Sequence, residues 1–206
     1  MTRLTKGLLL TALLVLAAAG GGVALYLLPV SIALGPCLKD WTNLTSYRPR
    51  ESPLENASLQ VMGGEIKVCY GSPSARGRIV FGSLVPYGRY WRLGANEPTR
   101  LATNVPLEIA GIAVPPGRYS LYAIPERNRW QLAISRSIFH WGTDFSDRVT
   151  SREVGRATVP AVQARPFVEA LTIRLAPGET PERAKLMIEW EHTKVEVPIL
   201  VKGKRE

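Results

Sequence analysis

The sequence predicts a mainly β protein: an antiparallel β-sandwich or jelly-roll-like domain preceded by one N-terminal transmembrane helix. Three observations carry that expectation. An uncharged apolar run fills residues 7–34. From about residue 56 onward, apolar and polar residues alternate at the two-residue period of a half-buried strand. Turn residues punctuate the alternation at intervals of roughly 8 to 12 residues, the spacing of sandwiches and jelly rolls. At 206 residues, the chain holds one medium domain with a real core, or a domain plus an anchor.

The apolar run reads GLLLTALLVLAAAGGGVALYLLPVSIAL. An α-helix needs about 20 apolar residues to cross hydrocarbon, so this run is long enough. A cleaved signal has a shorter core of about 7 to 15 residues ending in small residues. Ala17-Ala18-Ala19 is a candidate cleavage site of that kind, but the apolar run continues well past it. Cys37 follows Pro36 and not a small residue, which argues against a lipoprotein. An uncleaved signal anchor is therefore the expectation. Arg3 and Lys6 hold residues 1–6 in the cytoplasm by the positive-inside rule, and everything beyond about residue 35 is exported. The chain thus divides into a cytoplasmic N-terminus (1–6), a transmembrane helix (7–34), a linker (35–55) and an exported β-sandwich domain (56–206). The expected location is a bacterial inner membrane, single pass, with the C-terminal domain in the periplasm or outside.

Within the apolar run, Ala17, Ala18, Gly21 and Gly22 place small side chains four apart on one helix face, where a second helix can approach closely. Export segments are also rich in Ala and Gly for no packing reason. Cys37 and Cys69 both fall on the exported side, where disulfides persist. Either one Cys37–Cys69 bridge ties the linker to the first strands, or the two thiols are separate. Asn43-Leu44-Thr45 and Asn56-Ala57-Ser58 match the glycosylation pattern, which a bacterial source makes irrelevant.

The linker carries Pro36, Pro49 and Pro53. Leu59 and Val61 lead to Gly63-Gly64, a two-residue hairpin turn, and Ile66, Val68 and Tyr70 return. Ile112 and Val114 run into Pro115-Pro116-Gly117, followed by Tyr119, Leu121 and Ala123. Trp130, Leu132 and Ile134 repeat the pattern, as do Leu171, Ile173 and Leu175. Leu186, Ile188 and Trp190, then Val195, Val197, Ile199 and Val201, read as a final hairpin with His192 in its turn. Only Pro181 to Lys185 reads as a short helical turn.

The most distinctive stretch is RGRIVFGSLVPYGRYWRLGANEPT. Arg76, Arg78 and Arg92 offer guanidinium forks for carboxylate or phosphate. Tyr87, Tyr90 and Trp91 offer flat faces for a sugar ring or a cation. Asn96 and Glu97 add short polar groups beside Gly94. Together these eight residues form the candidate ligand- or partner-binding set. The alternative is structural: Arg92 pairs with Glu97, Trp91 fills the core, and the glycines serve turns. The motif GR-x-x-FG-x-x-VPYG-x-x-WR-x-GANE-x-T, from Gly77 to Thr99, resembles the signature of a bacterial exported family, domain of unknown function 2911. PPGRYSLYAIP (Pro115 to Pro125), Trp130, Trp141-Gly142 and the closing W-E-x-T-x-V-x-V-P-I (Trp190 to Ile199) also resemble it. The resemblance covers roughly residues 52 to 201 and implies a β-rich domain with no established reaction. The sequence departs from the pattern at Cys69, at Leu93 where a Thr is commoner, and in its long anchor. Family members are usually exported from a cleavable signal, so the anchor marks a membrane-tethered variant.

Of the 26 Lys and Arg, two precede Gly35, leaving 24 against 17 acids and a balance of +7 outside. That favours acidic partners, yet the bases are scattered singly without a recognition motif, so nucleic acid is not expected. No nucleophile, base and oxyanion set is apparent, and no catalytic residue is assigned. His140, Asp144 and Asp147 are the nearest approach to a metal set, but no metal or cofactor is expected. Glu189 and Glu191 share a solvent face of a strand, with Lys185 or Lys194 to balance them. The reading that follows is a membrane-anchored, non-catalytic accessory or structural subunit of a membrane complex. Its partners are other proteins of that complex and the membrane itself through one helix. The alternatives are a module binding a small anionic or carbohydrate ligand at Arg92, Asn96 and Glu97, or a hydrolase.

Overall fold

Strands with one apolar face need apolar neighbours to bury it against, and this chain supplies them from its own sheet. The computed structural model describes Cys37 and residues 51–202. Over these residues the protein is mainly β and almost free of helix. Its strands are β1 (Leu54–Val61), β2 (Gly64–Gly71), β3 (Thr99–Thr103), β4 (Leu107–Ile109), β5 (Ile112–Val114), β6 (Gly117–Pro125), β7 (Arg129–Ser135), β8 (Glu153–Pro177) and β9 (Arg183–Val201). They form one nine-stranded antiparallel sheet in the order β1-β2-β3-β6-β7-β8-β9-β4-β5. The one helix among the described residues is the short α1 (Asp147–Thr150).

The long β8 organises the sheet into two wings. Its first part pairs with β7, from Glu153 opposite Ser135 to Pro160 opposite Arg129. From Ala161 onward it pairs with β9, with register breaks between Gln163 and Val168 and between Val168 and Thr172. Bulges of this kind bend and twist a strand. The other edge of β8 is satisfied by the end of β2 and the residues after it. Tyr70 donates its hydroxyl to the Ile173 carbonyl and accepts from the Ile173 amide, and Ser72 Oγ bonds Leu171 O at 2.8 Å. Ser74 forms an isolated bridge to Ala170. Inward side chains of both wings merge into one core, with Ile66 and Val68 from β2, Leu121 from β6, Leu132 from β7, Ile173 from β8 and Val197 from β9. Cys37 is joined by a disulfide to Cys69 in β2, with Cα atoms 5.7 Å apart.

Several local expectations change. The first hairpin turns at Met62-Gly63 instead of Gly63-Gly64, because Gly64 already pairs with Val61. Met62 (φ 42°) and Gly63 (φ 75°) both take positive φ, as a two-residue hairpin of type I′ requires. The expected final hairpin is instead one 19-residue strand, β9, with His192 in its interior. There Glu191 adopts φ 55°, and the irregularity opposite Val168 absorbs the apparent turn. The helical turn lies at Asp147–Thr150, and Arg183–Lys185 opens β9. The expected anchor at 7–34, with Ala17, Ala18, Gly21 and Gly22, lies outside the described residues. Among the described residues no helix is long and apolar enough to cross a membrane.

Candidate functional site

The arginine- and aromatic-rich segment is the connection from β2 to β3, and its Phe81 and Trp91 turn inward. Phe81 and Trp91 are 7% and 8% exposed. Phe81 sits 5.2 Å from Trp130 of β7 and 6.1 Å from Trp190 of β9, and Trp91 stacks on Trp190 at 6.0 Å. Trp91 also meets Trp130 edge-on at 5.6 Å. Its backbone is locked to Ala123 of β6 by two hydrogen bonds of 2.8 Å. Trp91, a candidate binding face by sequence, therefore fills the core between the two wings.

After Trp91 the chain makes a tight polar turn. Leu93 (φ 54°) and Asn96 (φ 63°) both occupy the left-handed region, which non-glycine residues adopt at a cost. The conformation is held by Thr99, whose hydroxyl donates to Leu93 O at 2.8 Å, and by Arg92 Nε, which donates to Gly94 O at 3.2 Å. Gly94 is needed for backbone packing against β2. A Cβ there would lie 2.9 Å from Gly71 O, and a Cβ on Gly71 would lie 2.1 Å from Ala95 O. Arg92 is half-buried. Burial lowers its pKa below the ordinary arginine value, and the nearby charge of Glu97 opposes that effect. Glu97 itself is buried, 2% exposed. Arg92, Asn96 and Glu97 are thus brought together by one turn.

A second loop, between β7 and α1, seats against this turn. A Cβ on Gly142 would lie 2.4 Å from Asn96 O and 2.5 Å from Arg92 Cδ, so only glycine permits the approach. Beside it, buried His140 donates from Nδ1 to Trp141 O at 2.8 Å and meets the Ser120 hydroxyl through Nε2 at 3.3 Å. Ser120 is fully buried. Both ring nitrogens of His140 are therefore engaged within the protein.

The remaining candidates are dispersed. Tyr90 stacks on Phe145 at 5.1 Å and meets Tyr122 edge-on at 5.8 Å. Arg156 lies over the Tyr90 ring at 5.5 Å, donates to its hydroxyl, and pairs with Glu153 at 2.6 Å. Tyr122 donates its hydroxyl to the same Glu153 carboxylate. Burial, reinforced by that carboxylate, pushes the Tyr122 hydroxyl well above the ordinary tyrosine range. Tyr87 carries Arg127 over its ring at 5.3 Å. Arg76 reaches Glu51 at 3.3 Å, and Arg78 binds the carbonyls of Ala75 and Ser74. Arg76, Arg78 and Tyr87 thus serve separate contacts and do not converge on Arg92.

Asp144 pairs with Arg148, while His140 turns to Ser120, so these groups do not gather around a common point. Among the described residues no group of three His, Cys, Asp or Glu is placed to hold a metal ion. Glu189 pairs with Arg174, whereas Lys185 and Lys194 both serve Glu196. Glu191 accepts from the Val80 amide at 3.2 Å, pinning the arginine-rich segment to β9. A groove of about 690 Å³ runs beside Pro106, Glu108, Pro116, Glu182 and Lys202, and none of the candidate residues lines it. Sequence reasoning assigned no site role to Ser120, Tyr122, Gly142, Phe145, Glu153 and Arg156, although Gly142 stands in the Trp141-Gly142 pair of the family pattern. Tyr122 and Ser120 stand in the PPGRYSLYAIP stretch, which was the available signal.

A β domain whose two wings are joined through a tryptophan-bearing connection and its GANE turn defines the class. Residues 52–199 match the family model described as Protein of unknown function (DUF2911), and the chain belongs to that family. No curated protein and no solved structure matches the chain.

Proposed function

We propose that this chain is a membrane-anchored, exported β domain without catalytic function, serving as an accessory or structural subunit of a membrane complex. The two wings are read as the layers of a β-sandwich, with residues 7–34 as the transmembrane helix of a bacterial inner membrane. The observation that carries the reading is the Cys37–Cys69 disulfide, three residues beyond the end of the apolar run. Structural disulfides belong to oxidising compartments, and an uncharged run of this length belongs in hydrocarbon. Outside, the β2–β3 connection exposes Ile79 (68%), Leu84 (43%) and Tyr90 (39%) among arginines. Arginine and aromatic side chains are the types enriched at interface anchors. A tethered domain also meets bilayer neighbours at high effective concentration. The test is solubilisation in mild detergent, native electrophoresis and mass spectrometry of the band. Co-migration with other membrane proteins is expected, and Gly21→Leu should weaken it by crowding the small-residue helix face. Migration as a lone 22.6 kDa species under several gentle detergents would contradict the proposal.

One observation favours a second reading, a module for a small anionic ligand at Arg92, Asn96 and Glu97. Arg92 spends only Nε on the protein, leaving its terminal amines without a hydrogen bond among the described residues. Guanidinium forks suit carboxylate and phosphate. Under this reading Arg92→Ala abolishes binding of small carboxylates or phosphates in calorimetry while the unfolding midpoint moves by only a few degrees. Equal heats for the parent protein and the variant would dismiss it.

A further inference from the structure

We propose that the open edge of β1 is a homodimer interface, at which two copies of this chain pair β1 to β1 about a two-fold axis. The inference stands on the β domain alone and goes beyond the subunit reading above, since it does not need the anchor. β1 ends the strand order and pairs only with β2. In an antiparallel ladder, hydrogen-bonded and non-hydrogen-bonded pairs alternate, and a residue in a non-hydrogen-bonded pair turns its amide and carbonyl the other way. The two-residue turn at Met62-Gly63 makes Val61 and Gly64 a hydrogen-bonded pair. Gln60 and Glu65 are then the non-hydrogen-bonded pair next to it, and Glu65 bonds away from β1. Its amide donates to Asn104 Oδ1 at 2.6 Å, and its carbonyl accepts from the Asn104 amide at 3.3 Å. By the same alternation Leu54, Asn56, Ser58 and Gln60 turn their backbone groups to the outside of the sheet. Among the described residues, none of these four has a backbone hydrogen-bond partner on that side.

Natural sheet edges are usually blunted by lysine, by proline or by a bulge. Within its eight residues β1 has none of these. It reads LENASLQV, pairs with β2 without a register break and carries one charge, Glu55. Asn56, Ser58 and Gln60 are exposed. The edge is therefore long, regular and open, the kind of edge that accepts another strand.

Register decides which strand fits. Each new hydrogen-bonded pair must join two outward-turned residues, so an even-numbered residue meets an even-numbered one. One antiparallel register engages all four on both strands. It sets Asn56 opposite Ser58 of the partner subunit and Leu54 opposite Gln60 of the partner subunit. The two-fold axis then passes through Ala57, the smallest side chain of the strand, which faces its own copy. Glu55 meets Leu59 of the partner subunit, so the one charge of the strand is not set against itself. The strand contributes no base, and the basic balance of the domain is not concentrated at the contact. Such a contact is isologous, the commonest form of dimer, and it continues the nine-stranded sheet into that of the second copy.

The test uses the full chain in mild detergent, where the two native cysteines are bonded to each other. Ala57→Cys sets two thiols on the axis in a non-hydrogen-bonded pair. Their Cα atoms are about 4.5 Å apart, inside the range that a disulfide spans. Ser58→Cys is the control, because its copy lies two residues along the partner strand. Those Cα atoms are about 8 Å apart, beyond that range. Under the same mild oxidant Ala57→Cys is expected to run as a covalent species of twice 22.6 kDa, and Ser58→Cys to stay single. Ser58→Pro removes one outward amide and no bond to β2, so adding it to Ala57→Cys should abolish the cross-link. Light scattering should give two chains for the parent protein and one for Ser58→Pro. A single-chain mass for the parent, or cross-linking that Ala57→Cys and Ser58→Cys share equally, overturns the proposal. So does a cross-link from Ala57→Cys to a different protein, which would assign the edge to a strand of that protein. A cross-linked dimer that co-migrates with no other membrane protein supports the proposal and removes the subunit reading alone.

Discussion

Trp91→Ala is expected to lower unfolding stability by about 3 to 5 kcal/mol, the usual cost of removing a large buried aromatic. In a domain of this size the midpoint falls by roughly 10 °C. Trp91 touches Phe81, Trp130 and Trp190 at 5.7, 5.6 and 6.0 Å, so its removal opens a cavity that borders β7 and β9 together. Neighbouring side chains in a close-packed core cannot collapse far enough to refill it. Trp91→Phe keeps a ring in contact with Trp190 and should lose less. Urea unfolding of both variants checks this. If Trp91 instead served as a surface anchor for a partner, Trp91→Ala would leave the midpoint in place and weaken association only. The two outcomes separate a core role from a binding role at the most conspicuous residue of the segment.

The mainly β character was legible because strand alternation is a local signal, and it survives in β2 (Ile66, Val68, Tyr70) and β6 (Tyr119, Leu121, Ala123) without tertiary help. What was not legible was continuity. His192, Thr193 and Lys194 read as a turn because polar residues interrupt the alternation. In the structure they sit inside β9, where a bulge lets the strand shift its register. At the site, the clustering of Arg92, Asn96 and Glu97 was legible because one turn contains them. Whether Trp91 faces in or out was not, since a lone tryptophan between Tyr90 and Arg92 fits either side in one dimension. The seating of His140 on Ser120 joins residues 20 apart through the β6–β7 hairpin and the loop after it. Only the strand pairing creates that contact, and no local pattern announces it. Gly142 behaves likewise: its requirement comes from Asn96 and Arg92, from which five strands separate it along the chain.

Removing the disulfide should have the second large effect, and it bears on location as well as stability. The bond joins residues 32 apart in sequence, and on the chain-entropy account a loop of that length is worth about 3 to 4 kcal/mol. The double variant Cys37→Ser/Cys69→Ser is expected to lose about that much in urea unfolding. Reductant should bring the parent protein to the same midpoint and leave the variant unchanged. The constraint has a structural target. Cys69 sits in β2 between Asn56 of β1 and Arg100 of β3, so the bond ties the residues ahead of β1 to the second strand of the sheet. Only one outer strand lies beyond that point, since β1 is the edge of the order. An edge strand is the easiest part of a sheet to fray, and holding the chain that leads into it opposes that opening. The same bond reports its compartment. Thiol-directed alkylation of protein taken directly from cells without reductant should add no mass, because an oxidising environment keeps the pair closed. Two alkyl groups per chain would place the domain in a reducing compartment. That result would remove the observation on which the exported, anchored reading stands, while leaving the nine-stranded fold as it is.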